Sequence, residues 1–146
     1  MLDVSHNQLK AISSNIVQLH QLKDLSLHTN DLSNLPTELF RLSNLRGLSL
    51  HHNRLDHHAF PFDPSKDETV QTLENITVLD LSANKFGEIP PQICTLTTLQ
   101  ELYLAGNKLT YIREENFPFS KLSNLRVLDL SSNNITKLGP VASAYS

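Results

Sequence analysis

The stretch that decides the fold is residues 22–32, which read LKDLSLHTNDL. Leucines occupy its first, fourth, sixth and eleventh positions, and an asparagine occupies its ninth. The same frame begins again near residues 45, 76, 99 and 125, and an incomplete copy opens the chain near residue 1. A pattern that returns at a nearly constant period indicates stacked copies of one small supersecondary unit. We therefore divide the chain into six units.

Each unit contains a short segment in which apolar and polar residues alternate. This period of two predicts a strand with its leucines on one face and its polar residues on the other. The asparagine follows where the chain leaves the strand, and its amide carries both an acceptor and two donors. We expect these side chains to form a ladder that pairs the turn's backbone groups, at Asn7, Asn30, Asn53, Asn84, Asn107 and Asn133.

The frame LxxLxLxxNxL resembles that of leucine-rich-repeat proteins over nearly the whole chain. The resemblance implies an α/β leucine-rich-repeat solenoid, a curved right-handed coil with a parallel sheet of six short strands on its concave side. Residues 1–146 would form one such domain. The runs LPTELFRLSNL and IPPQICTLTTL also resemble the return arcs of the Ras-group intracellular (Ras-suppressor-like) subclass. The family resemblance further implies that the concave side binds another protein.

Two return arcs depart from the 23-residue period. The interval from Asn53 to Asn84 is 31 residues, and that from Asn107 to Asn133 is 26 residues. We expect residues 56–72 to form a solvated insertion loop, in which phenylalanines rather than His58 reach the core. The phenylalanines expected to pack inward are Phe60, Phe62, Phe117 and Phe119. Neither end carries a recognisable cap, so we expect a fragment of a longer array.

Composition restricts the classes of function. The net charge of −3 gives no basic footprint for nucleic acid, and no apolar run approaches the length of a membrane span. A single cysteine allows no intrachain disulfide, and the amino-terminal residues lack the pattern of a signal peptide. These features favour the cytoplasm over an extracellular location, which stays as the alternative.

Stacking aligns the outward-facing polar residues of the strands in columns. In many positions these residues are generic, but units two, three and five carry individual histidine, glutamate and tyrosine side chains. Tyr103 and Glu101 are the foremost candidates, because a tyrosine buried in an interface can act as an anchor. The predicted partner-binding residues are Asp24, Ser26, His28, Ser49, His51, Asp80, Glu101, Tyr103 and Asp129.

The same face carries residues that in other proteins support metal binding or catalysis. His28 and His51 with Asp24 could hold zinc or respond to pH, but no recognised ligand spacing supports a metal site. We therefore predict no metal, no cofactor and no catalytic residues, because no oriented base or oxyanion hole is indicated. Asn75 and Asn134 match the glycosylation acceptor pattern, and we interpret both as chance matches.

The sequence predicts a non-enzymatic protein–protein interaction scaffold in intracellular signalling. Its partner would be another protein, such as a small GTPase or another signalling component. Two alternatives stay open: a ligand-recognition fragment of an extracellular leucine-rich-repeat receptor, and the targeting segment of a larger signalling enzyme. The sequence does not indicate an oligomeric state.

Overall fold

The computed structural model describes residues 1–61, 72–113, 115 and 117–138. Its main feature is a six-stranded parallel sheet in which strands follow one another in chain order, as expected from the repeats. None of the helices in these described ranges has the length and apolar composition needed to cross a bilayer. The strands are β1 (Leu2–Asp3), β2 (Asp24–Ser26), β3 (Gly47–Ser49), β4 (Val78–Asp80), β5 (Glu101–Tyr103) and β7 (Val127–Asp129). The predicted solenoid with its six short strands is confirmed.

The register of the sheet keeps equivalent residues side by side. Leu25 pairs with Leu48, Leu48 with Leu79, and Leu79 with Leu102, and all four side chains are buried. The residues before and after each of these leucines point to the opposite face, because side chains alternate along a strand. One face of the sheet therefore covers the core, and the other face is available to solvent.

The return side of the coil contains short 3₁₀ helices instead of α-helices in the residues that the structure describes. Prolines Pro36, Pro90 and Pro118 immediately precede three of these turns. A proline disfavours the α conformation in the residue before it, and a 23-residue unit leaves little chain for a longer helix. The helical part of the α/β class thus consists of Ser14–Gln18, Thr37–Arg41, His57–Ala59, Pro91–Thr95 and Phe119–Lys121.

A second, two-stranded parallel sheet was not predicted. It pairs β6 (Tyr111–Ile112) with β8 (Lys137–Leu138) on the return side of the last two units. Arg113 and Lys137 approach the ring of Tyr111, at 4.8 and 5.5 Å from its centroid. The Lys137 contact and the strand pairing tie the last described unit to the one before it, whereas the Arg113 contact lies within the earlier unit.

The phenylalanines of the two long arcs pack inward, as expected. Phe60 is buried, and its ring lies 5.5 Å from that of Phe40 and 6.2 Å from that of Phe86. Phe117 and Phe119 are also buried and contact each other edge to face. The side chain of His58 is 77% exposed, so the histidine does not enter the core. Phe62 and most of the predicted insertion loop lie outside the described residues.

One residue in each unit adopts a left-handed backbone conformation directly before the ladder asparagine. This left-handed column has φ values between 54° and 68°. Most residues avoid that region because the Cβ atom approaches the backbone, whereas glycine is free to adopt it. The column consists of His6, Thr29, His52, Ala83, Gly106 and Ser132.

Candidate protein-binding face

The solvent-facing side of the six-stranded sheet brings the predicted binding residues together. We call this side the concave face and define it by three columns of residues. The first column is Met1, Asp24, Gly47, Val78, Glu101 and Val127. The second is Asp3, Ser26, Ser49, Asp80, Tyr103 and Asp129, and the third is Ser5, His28, His51, Ser82, Ala105 and Ser131. All nine predicted residues lie in these columns, and none is fully buried.

The three columns carry negative charge and no lysine or arginine. Their carboxylates belong to Asp3, Asp24, Asp80, Glu101 and Asp129. The hydroxyl of Ser131 donates to Asp129 at 2.6 Å, and its backbone N–H donates at 3.0 Å. These bonds stabilise the charged carboxylate and lower the pKa of Asp129. Ser5 makes the same two bonds to Asp3 and lowers its pKa in the same way. The concave face is therefore acidic at neutral pH.

Tyr103 and Glu101 form a connected pair on β5. Two residues apart on one strand, they project from the same face, and the Tyr103 hydroxyl donates a hydrogen bond to Glu101 Oε1. This bond to a carboxylate raises the pKa of Tyr103, and partial burial and the neighbouring carboxylates add to the effect. The pair thus presents a neutral phenol oriented by a carboxylate.

A shallow depression lies beside Tyr103, where the neighbouring strands carry serine and glycine. It encloses about 400 Å³ and is lined by Asp24, Ser26, Gly47, Ser49 and Tyr103 among others. Asp24 leans over Gly47, so that a Cβ atom at Gly47 would lie only 2.7 Å from Asp24 Oδ1. The absence of a side chain at Gly47 therefore leaves room for the Asp24 carboxylate. Arg46 also lines the depression.

Four histidines form a continuous contact at one margin of the concave face. His28 and His51 are stacked, with ring centroids 4.2 Å apart and planes only 12° apart. His6 meets His28 edge to face at 5.1 Å, and His51 Nδ1 lies 2.8 Å from His52 Nδ1. Lone pairs of imidazole nitrogens lie in the ring plane, so stacked rings do not converge on one ion. This geometry does not favour the metal site considered for His28, His51 and Asp24.

The histidine contact predicts a pH effect on stability. Burial lowers the pKa of His51, Asp80 raises it in part, and His28, His52 and His6 lower it further. Below about pH 6.5 His51 binds a proton in the unfolded chain more readily than in the folded protein. The free energy of unfolding should therefore decrease as the pH decreases. We expect wild type to lose more stability between pH 7.5 and 5.5 than His51→Gln, measured by urea denaturation.

The exposed His20 gives a matched control for this measurement. His20→Gln should retain the wild-type pH dependence, because the ring of His20 lies in an exposed turn and hydrogen-bonds the nearby carbonyl of Gln18. Asp3 and Asp129, whose pKa values are lowered, titrate below this pH window and do not contribute. Parallel pH curves for wild type and His51→Gln would contradict the assignment.

The ladder asparagines connect consecutive units. The Asn84 side chain accepts from the backbone N–H of Leu55 in the preceding unit at 3.0 Å, and donates to Leu50 O and Leu81 O, both at 3.0 Å. Asn30, Asn53 and Asn107 make equivalent bonds and are likewise buried. Asn7 and Asn133 occupy the two ends of the described ladder, and their hydrogen bonds are more exposed to solvent than those of the inner asparagines.

A second set of asparagines joins the units at the other end of the strands. Asn44 donates to His20 O, Asn75 to Ser43 O at 2.7 Å, and Asn124 to Thr97 O. A sequence signal for these residues exists: an asparagine directly precedes the first apolar residue of the repeat frame, as in LSNL and LENI. Because Asn75 already donates to a backbone carbonyl, a glycan on its amide would compete with this bond.

Comparison with known families agrees with the repeat frame. The leucine-rich-repeat family models match residues 75–96 as one repeat and residues 97–143 as two copies. The LRR ectodomain of the receptor kinase SOBIR1 from Arabidopsis thaliana is 30% identical, with a TM-score of 0.66 over 95% of this chain and 71% of that chain. The chain belongs to the leucine-rich-repeat family, whose members commonly act in protein–protein interactions.

Curated relatives include proteins of different roles. The protein phosphatase 1 regulatory inhibitor subunit PPP1R7 homolog of Arabidopsis thaliana is 31% identical over 92% of this chain and 38% of its own length. Podocan of Mus musculus is 48% identical over 41% of this chain and 10% of its own length. The chain thus spans well under half the length of these curated relatives.

Proposed function

We propose that this chain is a non-enzymatic scaffold whose concave face binds a basic segment of a partner protein. The observation that carries the proposal is the charge of that face, where five carboxylates stand in columns without a lysine or arginine. A positively charged partner segment would be attracted to the carboxylates of this surface at neutral pH. The proposed contact residues are the nine predicted from the sequence.

The depression beside Tyr103 gives this surface a place for an anchor. Tyrosine is enriched among the residues that dominate interface energetics, and its ring can cover the stem of a bound lysine or arginine. Glu101 and Asp80 lie on the same strand pair as Tyr103 and can accept hydrogen bonds from the charged head group. We propose that Tyr103, Glu101 and Asp80 form the centre of the interface.

The pathway is proposed from the relatives. A regulatory subunit of a phosphatase among the relatives supports a role in intracellular signalling, and the single cysteine of the sequence, the buried Cys94, is compatible with the reducing cytoplasm. A small GTPase was the narrower expectation for the partner, and none of the relatives named above is described as binding one. We therefore define the partner by its basic segment and by its presence in the cytosol.

The proposal is tested by affinity capture from cytosol with a Glu101→Lys/Tyr103→Ala variant. We expect wild type to retain a partner and the variant to lose at least nine-tenths of it, because charge reversal and loss of the ring act at one centre. Raising the salt concentration should weaken capture, since exposed charges are screened. A matched control is Glu88→Lys/Tyr111→Ala, which makes the same changes on the return side.

Both variants must first show wild-type circular dichroism and unfolding midpoints. Equal capture by wild type and the concave variant would contradict the proposal, as would equal losses in the concave and control variants. Identification of the partner by mass spectrometry then permits a direct check: the segment that binds in a peptide scan should carry lysine or arginine. An acidic segment would also contradict the proposal.

A second candidate function is ligand recognition in an extracellular receptor. The similarity to the SOBIR1 ectodomain favours it, because that alignment covers most of both chains. Mass spectrometry of the protein from its native source distinguishes the two: a glycan on Asn75 or Asn134 would support the receptor, and unmodified asparagines would support the scaffold. The targeting segment of a larger signalling enzyme is the remaining alternative, and the mass of the native polypeptide tests it.

A further inference from the structure

We propose that Asp56, His57 and His58 form a zinc site at the start of the long third arc. Each of these residues offers one ligand atom, and the three atoms all lie within 4.8 Å of one another. Two imidazole nitrogens and one carboxylate oxygen are a ligand set that zinc accepts, with a water completing the tetrahedron. The group lies away from the concave face, so the inference is independent of the proposed function.

The spacing of two of these ligand atoms already matches a tetrahedral zinc ion. His58 Nδ1 lies 3.3 Å from Asp56 Oδ1. Zinc–nitrogen and zinc–oxygen bonds of about 2.0–2.2 Å separate two ligands of a tetrahedron by about 3.3–3.5 Å. The His57 ring lies beside that of His58, with centroids 3.9 Å apart and a tilt of 39° between the planes. Because imidazole lone pairs lie in the ring plane, the exposed His57 side chain must rotate before both rings can direct a nitrogen at one ion.

Backbone hydrogen bonds fix the turn that carries these ligands. The His58 N–H donates to Asp56 Oδ1 at 2.9 Å and orients the carboxylate, and the Ala59 N–H donates to Asp56 O at 2.9 Å and closes the turn. Ala59 and Phe60, the next residues along the chain, are buried in the core. The turn is therefore anchored on one side while its ligands face solvent. Hydrogen bonds to ligating carboxylates are a usual feature of metal sites.

The other histidines provide a comparison within the same molecule. His51 and His52 are also adjacent in sequence, and their Nδ1 atoms lie 2.8 Å apart. The ring of His28 is stacked on that of His51, so the nitrogen lone pairs of the two rings lie in separate, nearly parallel planes. Within the part of the chain that the structure describes, only the group at residues 56–58 brings three candidate ligand atoms of this kind within 4.8 Å.

The test is a calorimetric titration of the chelator-treated 146-residue chain with zinc sulfate at pH 7.5. We expect one zinc per chain, with binding at least tenfold weaker in His57→Gln, in His58→Gln and in Asp56→Asn. Asparagine caps a helical turn about as well as aspartate, so Asp56→Asn removes the charged ligand while keeping the local structure. The control is His51→Gln/His52→Gln, which removes the other adjacent histidine pair.

Each result decides the proposal. Unchanged zinc binding in the control, together with the tenfold losses in the three site variants, supports the site. Zinc should also raise the unfolding temperature of wild type and of the control but not of the site variants, because a ligand that binds the folded state stabilises it. Absence of zinc binding by wild type, retained binding in the site variants, or an equal loss in the control would overturn it.

Discussion

Replacing Leu81 by alanine is expected to lower the free energy of unfolding by about 2–5 kcal/mol. Leu81 is fully buried in the fourth unit, and it follows β4 on the core side. The substitution removes three carbon atoms and leaves a cavity that the neighbouring units can fill only in part. Since each unit contacts only its neighbours, a cavity in the middle of the array weakens two interfaces together.

The measurement is urea denaturation of wild type, Leu81→Ala and Tyr103→Ala, followed by circular dichroism. Tyr103 is larger than Leu81 but projects from the concave face, so its truncation should cost much less. The pair therefore tests which residues face the core. Similar losses in the two variants would contradict the assignment of the columns.

Replacing Asn84 by alanine is expected to cost about 1–3 kcal/mol, because it leaves the buried Leu55 N–H unpaired. The Leu55 N–H would lose its acceptor, whereas Leu50 O and Leu81 O would each lose one of two donors and keep the bonds from Asn53 and Asn107. Leu55, Leu50 and Leu81 are all buried, which limits replacement of these bonds by water. The loss should appear as a lower denaturation midpoint.

Asn7 is the matched control for this prediction. It occupies the same repeat position in the first unit, and its amide donates to Val4 O and Ser5 O, but its side chain is exposed. Water can replace these bonds, so Asn7→Ala should cost distinctly less than Asn84→Ala. A loss for Asn7→Ala as large as that for Asn84→Ala would show that burial does not determine the value of the ladder.

The sequence was sufficient for the strands and for the direction in which their residues point. Period-two alternation and the recurring frame define both, and the paired leucines Leu25, Leu48, Leu79 and Leu102 lie where the frame requires. The return arcs were less predictable. Whether a short arc forms an α-helix or a 3₁₀ helix depends on small differences in backbone energy, and the β6–β8 pairing depends on how two arcs of unequal length stack.

The candidate surface was likewise predictable only in part. The frame predicts which residues share a column, but it does not predict how their side chains turn. The stacking of His28 on His51, the lean of Asp24 over Gly47 and the grouping of Asp56 with His57 and His58 all depend on side-chain rotamers. Periodicity contains no information on rotamers, so these contacts required the structure.

The left-handed column limits how much variety this surface can display. Three columns follow the strands, where almost any side chain fits an extended backbone. The fourth, which includes Thr29 and His52, must first suit a backbone with φ near 58°. Selection for new partners can therefore use nearly all amino acids at three positions per unit, but fewer amino acids at the fourth. A library that diversifies this scaffold should therefore change the other three places first.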